Sequence, residues 1–345
     1  MSVWATPEQS ALLAALAERL DVRIVAAACP VRAHGPALAD ALSASLAGDV
    51  LDLLATDATL VLLATACEGF EQGLPQAVAR AAAEGRRVAT LAPLPMPPSD
   101  AAGPWHSPIQ GRLPADAVRF GPLLRHGVAF QEASETLLAF GPVRSALFWG
   151  FRPWSIAGQG ATGALLIDAL DLLVGLLGEA ERIDAAITGP APIGSGLTLG
   201  PLTGDLTAHG RFEGGASAAI LLSDRAGGWS RRVTLLGEAG RLELGDDGHR
   251  WIDPSGRTVD RSERRIGHEP QRPAESDAGP GHDAADGVAP EPQAVEALAQ
   301  FLMPILDGRA TPPLDARHLG PMAAAVLLSA RTGQAESPST LRAMV

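Results

Sequence analysis

Two acidic side chains on an apolar segment are the first candidates for chemistry in this sequence. Asp168 and Asp171 lie three residues apart in a predicted helix over 161–177, which places both carboxylates on one helix face. A carboxylate whose pKa is raised by burial can act as a general base. Arg152 and Trp154, at the end of the preceding predicted strand, are candidates to line the same pocket. The alternative is that these residues only pack and form ion pairs at a domain seam.

Residues 158–163 read Gly-Gln-Gly-Ala-Thr-Gly and open the same helix. This G-x-G-x-x-G spacing is typical of a dinucleotide-binding loop, which directly follows a strand and needs an acidic residue after the next strand. Here Pro153, Trp154 and Ser155 intervene between the strand and the motif, and Thr188 and Gly189 follow the next strand, 183–187. We therefore interpret the glycines as the entry to an apolar helix.

The amino-acid composition excludes several catalytic mechanisms. All 27 basic residues of this 345-residue chain are arginine, and tyrosine is absent, so neither a lysine Schiff base nor a lysine or tyrosine acid is available. The net charge of −12 disfavours nucleic acid and anionic membranes as partners. Cys29 and Cys67 lie in apolar stretches without a C-x-x-C spacing, so we expect neither a zinc site nor a disulfide framework.

Other binding and targeting signals are weak. The spacing of His249, His268 and His282 fixes no ligand geometry, so no metal site is expected. Residues 1–10 lack a basic segment and an apolar run, and no apolar run reaches the roughly 20 residues that a membrane span needs. A cytoplasmic protein is the expectation.

The elements that would position these residues fall into two groups. Short apolar strands alternate with helices over 1–115, which predicts a parallel sheet covered on both faces. A Pro-rich passage over 93–114 leads to a second region, 116–345. In this region, apolar and polar residues alternate along the predicted strands that follow the apolar helix. The predicted fold class is α/β: a truncated Rossmann-like domain over 1–115, and an α/β domain over 116–345 with a large, mostly antiparallel open sheet.

The individual predictions are as follows. Helices are predicted over 7–20, 35–46, 68–84, 116–140, 161–177, 292–306 and 315–332, and strands over 22–28, 59–64, 87–91, 143–151, 206–212, 216–222, 231–236 and 241–244. Residues 2–5 make at most a stub of a strand, and 261–291 are predicted to be a polar loop. The C-terminal helices could pack back on the first domain.

Several stretches resemble the Gfo/Idh/MocA (glucose–fructose oxidoreductase and inositol dehydrogenase) family in their order and spacing. They lie at 57–65, 77–95, 160–179, 211–223, 232–248 and 318–334. The resemblance implies an N-terminal Rossmann domain, a C-terminal α/β domain and NAD(P)-dependent oxidoreductase activity on a sugar or polyol.

The chain departs from the family pattern at the residues that carry this activity. Residues 1–9 contain no glycine for a phosphate-binding loop, and Cys29 stands where an acidic residue would hold the ribose. The family's lysine position falls at Ala92, and its aspartate and histidine fall at Ala164 and Asp168. The asparagine and histidine that follow the A-T-P pattern fall at Cys67 and Phe70.

Three interpretations follow. The first is a non-catalytic, oxidoreductase-like protein without a catalytic residue or a cofactor, which acts as a binding or partner subunit. It would form a homo-oligomer, or a hetero-oligomer with an active paralogue, through the open sheet face, which Trp229 and Trp251 would cover. The second is a divergent dehydrogenase that uses NAD or NADP, with Asp168 as base. The third is a protein whose glycine loop lies upstream of Met1.

Overall fold

The chain is built on two β-sheets. The computed structural model describes residues 1–67, 73–93, 118–153, 160–189, 199–200, 202–264, 291–309, 314 and 316–343. Trp154, Gly158, Phe70, His268 and His282 lie outside these ranges, as does most of the Pro-rich passage and of the predicted polar loop.

The first sheet has six parallel strands in the order β3-β2-β1-β4-β5-β6. Its strands are β1 (Ser2–Trp4), β2 (Ala26–Ala28), β3 (Ser45–Leu46), β4 (Leu60–Leu63), β5 (Arg87–Thr90) and β6 (Val118–Phe120). Helices α1 (Ser10–Arg19), α2 (Gly35–Ala41), α3 (Val50–Leu54) and α4 (Leu74–Ala83) connect them. This is the strand order of a doubly wound dinucleotide-binding fold, and it confirms the predicted parallel sheet.

Two predictions for this part of the chain are wrong. Residues 2–4 form a full central strand, because β1 pairs with β2 on one side and β4 on the other. The predicted helix over 116–140 instead contains edge strand β6, a 3-10 turn at Leu124–His126, and helices α5 (Val128–Glu132) and α6 (Ser134–Phe140). Pro122, which follows Gly121 in a cis peptide bond, cannot continue a helix. Since β6 pairs with β5, the first sheet extends beyond residue 115.

The second sheet has eight strands in the order β14-β13-β12-β11-β7-β10-β9-β8. They are β7 (Val143–Phe151), β8 (Ala180–Thr188), β9 (Asp205–Phe212), β10 (Ser217–Ser223), β11 (Ser230–Gly237), β12 (Gly240–Gly245), β13 (Gly248–Ile252) and β14 (Thr258–Glu263). Only β7 and β10 pair in parallel, so the prediction of a mostly antiparallel sheet is confirmed. Strand β14 occupies the beginning of the predicted polar loop.

The remaining helices are divided between the two sheets. They are α7 (Ala161–Leu177), α8 (Pro292–Leu306), α9 (Ala316–Thr332) and α10 (Pro338–Ala343). Helices α7 and α9 contribute to the core of the second sheet. Helix α8 packs on α1 and contributes to the core of the first sheet. In the described part of the chain, no helix has the length and apolar character to cross a bilayer.

Candidate functional site

The first candidate site is the crevice between β1 and β4, where the strand order of the first sheet reverses. Ligands of doubly wound sheets bind at this point, beside the carboxyl ends of the strands. Here the Gln9 side chain spans the crevice. Its Nε2 donates to the Ala64 carbonyl oxygen, which follows β4, at 2.9 Å, and its Oε1 accepts from the Thr6 amide, which follows β1, at 3.0 Å. The Trp4 indole donates to the Ala66 carbonyl at 3.0 Å, and both Gln9 and Trp4 are fully buried.

Most backbone donors of the β1–α1 loop are already bonded within the chain. A dinucleotide pyrophosphate is held by such N–H groups at the first turn of the helix. The Thr6 amide donates to Gln9, the Gln9 amide donates to the Thr6 carbonyl, and the Ser10 amide donates to the Pro7 carbonyl. Pro7 has no N–H. A phosphate at this loop would therefore compete with bonds that three of its amides already make.

Glu8 also gives this loop a negative charge. The neighbouring Thr6 side chain, and then the Glu8 amide, lowers the pKa of the Glu8 carboxyl. Negative charge is favoured at a helix N-terminus by the helix dipole, whether it belongs to a carboxylate or to a phosphate. Glu8 therefore supplies a negative charge at this helix start, and that charge would repel a second anion.

The topology also bears on the interpretation of an upstream glycine loop. Strand β1 lies at the switch point, so the loop that follows the first strand consists of Ala5–Gln9 whatever precedes Met1. A glycine loop upstream of Met1 stays a prediction, and it would be a different segment from the Ala5–Gln9 loop.

The two cysteines lie after strands of this sheet and are buried. Burial raises the pKa of Cys29, which follows β2, and raises the pKa of Cys67, which follows β4. Neutral thiols do not supply the paired acceptors with which a carboxylate holds a ribose.

The second candidate site is the seam between the two sheets, where the family resemblance implies the catalytic residues. Ala92 follows β5 and Ala164 lies in the first turn of α7; each is only 1% exposed. The backbone at Gly160, just before α7, lies close to Ala92, because a Cβ placed on Gly160 would lie 3.3 Å from the Ala92 Cβ. Gly163, the last glycine of the G-x-G-x-x-G pattern, allows another close approach: a Cβ there would lie 2.3 Å from the Leu199 carbonyl oxygen.

Asp168 is fully buried and engaged on both oxygens. Oδ1 accepts from the Leu124 amide at 2.6 Å, and Oδ2 accepts from Nη1 of Arg231 at 2.8 Å. Burial raises the pKa of Asp168, and the Arg231 guanidinium and the Leu124 amide oppose that shift. Arg231 is bound in turn by Asp246 through Nη2 and Nε, and it donates to the Pro122 carbonyl at 2.7 Å. Both oxygens of this carboxylate are therefore bonded within the protein, away from solvent.

Asp171 lies on the same helix face but belongs to a different cluster. Its two oxygens accept from Nε and Nη2 of Arg125, each at 2.8 Å, and Nε2 of His126 lies 3.9 Å away. The two acids predicted as a pair are therefore buried in separate ion pairs.

Arg152 also lies at the seam and is 2% exposed. Its Nη1 donates to the Leu91 carbonyl, at the end of β5, at 3.3 Å, and its guanidinium lies 4.7 Å from the ring centroid of Trp229. Burial, and then the neighbouring Arg231 charge, lowers the pKa of Arg152 to about 9. Its predicted neighbour Trp154 lies outside the described residues.

The described residues offer no metal centre, and they enclose one small apolar cavity beneath the second sheet. No group of three His, Cys, Asp or Glu side chains within them could hold a metal ion. One cavity beneath the second sheet, lined by residues such as Leu170, Phe212 and Met322, holds only about 10 Å³. That is less than a water molecule usually needs.

Sequence reasoning missed the residues that decide both sites. Gln9 and Glu8 lie in a loop that was considered only for its lack of glycine. Arg231 is 63 residues from Asp168, and no pattern joins them. Trp229, expected on the open sheet face, is buried at the seam instead. One signal was available: a Gln three residues after Thr6 is a pattern of helix starts.

Solved structures resemble the whole chain. An oxidoreductase from Agrobacterium radiobacter, in complex with NAD+, L-tartaric acid and magnesium, has a TM-score of 0.64 at 16% identity, covering 100% of this chain and 99% of that one. Levoglucosan dehydrogenase in complex with NADH and L-sorbose has a TM-score of 0.62 at 16% identity, with 97% of each chain covered. A myo-inositol dehydrogenase from Corynebacterium glutamicum has a TM-score of 0.59 at 18% identity, with 97% of each chain covered.

These similarities confirm the predicted fold class. The neighbours are oxidoreductases of the type that the sequence resemblance indicated, and at such low identity they establish the fold alone. No protein-family profile and no curated protein matches the sequence.

Proposed function

We propose that this chain is a non-catalytic protein on an oxidoreductase fold, which binds no nicotinamide dinucleotide at the switch point and acts as a binding or partner subunit. One observation carries the proposal: the Gln9 side chain bridges the loops after β1 and β4, and the Thr6, Gln9 and Ser10 amides already have partners within the chain. A pyrophosphate would have to break these bonds.

The residues at the seam support the same proposal. Ala92 and Ala164 cannot transfer a proton, and Asp168 is paired with Arg231 away from solvent. General acid–base catalysis contributes roughly 10²–10⁴-fold to a rate, and residues that act as a unit lose most of their effect together. The alternative, a dehydrogenase with Asp168 as base, requires that Arg231 first release this carboxylate.

The partner surface in this proposal is the outward face of the second sheet. Leu147, Leu221 and Leu236 are 40–45% exposed on it. Trp149, directly opposite Leu221 in the register, stacks against Phe151 with their ring centroids 5.5 Å apart. Exposed apolar patches of this kind mark interaction sites. The partner would be a second copy of this chain or an active paralogue.

The test is ligand binding by the purified protein. Thermal unfolding is measured with and without NAD, NADH, NADP and NADPH at millimolar concentration, with levoglucosan dehydrogenase, whose solved complex holds NADH, as positive control. We expect no shift with any of the four. A ligand at a hundred times its dissociation constant would add about 2.7 kcal/mol of stability, so a clear shift with one nucleotide would overturn the proposal in favour of the divergent dehydrogenase.

A further inference from the structure

The seam between the two sheets is bridged by a tryptophan from one unit that is buried in the core of the other. Here the first unit comprises the six-stranded sheet with α1–α4 and α8, and the second unit comprises the eight-stranded sheet with α5–α7, α9 and α10. Trp229 belongs to the connection between β10 and β11 of the second unit. Its side chain is 3% exposed and packs in the hydrophobic cluster formed by the first sheet, α1 and α8.

The backbone before Trp229 has a conformation that glycine adopts readily. Gly227 and Gly228 have φ angles of +61° and +67°, a conformation that residues with a side chain rarely adopt. The Trp229 amide then donates to the carboxylate of Glu291, the residue that precedes α8. Backbone and side chain of Trp229 are thus both attached to the first unit.

The indole is held on the side of the second unit as well. The guanidinium carbons of Arg152 and Arg231 lie 4.7 Å and 5.0 Å from its ring centroid, which is within cation–π distance. Its Nε1 donates to Oδ2 of Asp246 at 2.9 Å. Arg152 itself reaches across the seam to the Leu91 carbonyl.

The charges around the indole balance one another. Two guanidinium groups, Arg152 and Arg231, face two carboxylates, Asp168 and Asp246, and Arg231 bonds both carboxylates directly. Because the cluster is neutral, it requires no bound anion or cation. Its polar groups serve to hold the indole in place.

We infer that Trp229 is an interdomain lock, which couples the two units into one cooperative body. Inter-domain contacts within a chain usually permit relative motion, whereas here a buried indole fixed from both sides opposes it. The inference does not depend on whether a nucleotide binds, since it concerns only the coupling between the two units.

Calorimetry of the full chain tests the lock. We expect the wild type to unfold in one transition, with equal calorimetric and van't Hoff enthalpies. Trp229→Ala should separate the unfolding into two transitions, or lower the ratio of van't Hoff to calorimetric enthalpy well below one. Hydrogen exchange should then assign the earlier transition to one of the two sheets.

Trp251→Ala is the matched control. Trp251 donates its indole N–H to the Ala239 carbonyl and contacts Phe140 edge-on, all within the second unit. Its loss should lower the midpoint of a single transition. If Trp229→Ala also unfolds in one transition with an enthalpy ratio of one, the lock is refuted.

A second variant, Arg152→Met, tests the lock if Trp229→Ala does not fold. Arg152→Met keeps an unbranched side chain but removes the bond to Leu91 and the charge over the indole. We expect it to lower the enthalpy ratio below one. A ratio that stays at one in Arg152→Met would refute the lock on its own.

Discussion

At the scale of single residues, the structure replaces two predicted pocket acids with two structural ion pairs, which differ in burial. Both Asp168 and Arg231 have side chains at most 1% exposed, whereas Arg125, the partner of Asp171, is 33% exposed. Although burial lowers the pKa of Arg231, Asp246 and Asp168 raise it by more. An arginine side chain keeps its proton in proteins, so the Arg231 charge persists when one partner is removed.

This difference predicts unequal costs of removing the two acids. Asp168→Ala leaves a buried guanidinium with only part of its compensation and should lower the free energy of unfolding by about 3–5 kcal/mol. Asp171→Ala lets Arg125 turn toward water and should cost less. Urea unfolding of both variants gives the comparison. Equal costs would mean that burial of the partner does not set the penalty.

The lowered pKa of His126 should make the stability of the folded protein depend on pH. Burial lowers the pKa of His126, the Asp171 carboxylate opposes this, and the Arg125 charge adds to it. The folded state therefore favours neutral imidazole, while the unfolded chain binds a proton near pH 6.5. This contribution to stability is present above about pH 6.5 and is lost as the pH falls toward the lower folded pKa.

His126→Gln should reduce the loss of stability between about pH 7 and pH 5, as measured by the unfolding midpoint in urea at each pH. His34→Gln, at an exposed position, is the control. If both variants keep the wild-type slope, His126 does not carry this dependence.

At the scale of elements, periodicity predicted β7 and β9–β12 of the second sheet, but it missed β13 and β14 and predicted the connection between the sheets poorly. Strands β9–β12 begin and end within a residue or two of their predicted limits, because side chains that alternate between core and outer face leave a period of two. Strand β6 has three residues, and its structure comes from pairing with β5. Helix α3 was missed although Asp49 caps it, accepting from the Leu51 and Asp52 amides. Short elements of this kind carry too few residues for a period.

A substitution at the start of helix α7 tests whether Gly163 of the G-x-G-x-x-G pattern is needed for close packing. A methyl group at Gly163 would meet the Leu199 carbonyl oxygen, which belongs to the backbone and cannot easily move. Gly163→Ala should therefore lower the free energy of unfolding by about 1–3 kcal/mol, as overpacking does.

Gly175→Ala in the same helix is the matched control. The nearest atom to the added methyl group would be Cδ of Arg125, at 3.0 Å, in a flexible side chain. Alanine also favours a helix interior over glycine by about 1 kcal/mol, so this variant should be close to neutral or more stable. A Gly163→Ala variant as stable as Gly175→Ala would show that the segment at Leu199 does not restrict residue 163.

At the scale of the whole molecule, the sequence predicts the two sheets but not the contacts between residues that are far apart in the chain. The two sheets and their order follow from patterns within each segment. The closed crevice needs Gln9 to meet Ala64, 55 residues away, and the seam needs Trp229 to meet Glu291, 62 residues away. No local pattern records such contacts, so the sequence predicted which groups were missing from the site but not which groups fill it.

The outward face of the second sheet gives the last prediction. If this face is the partner surface, the purified chain should self-associate, and a charge at its centre should separate the copies. Leu221→Arg places an arginine opposite Trp149, and burial of that charge without a partner would cost more than a standard interface can offset. Light scattering after size exclusion should show the wild type as a dimer or larger and Leu221→Arg as a monomer.

Leu138→Arg controls for the added charge, because Leu138 is 83% exposed but lies on α6, away from the strands. It should leave the mass unchanged. A wild type that is monomeric at tens of micromolar would contradict self-association and leave the heteromeric form of the proposal. If Leu221→Arg keeps the wild-type mass, the copies associate through another surface. Leu147, Leu221 and Leu236, which are 40–45% exposed, would then be left for a different partner.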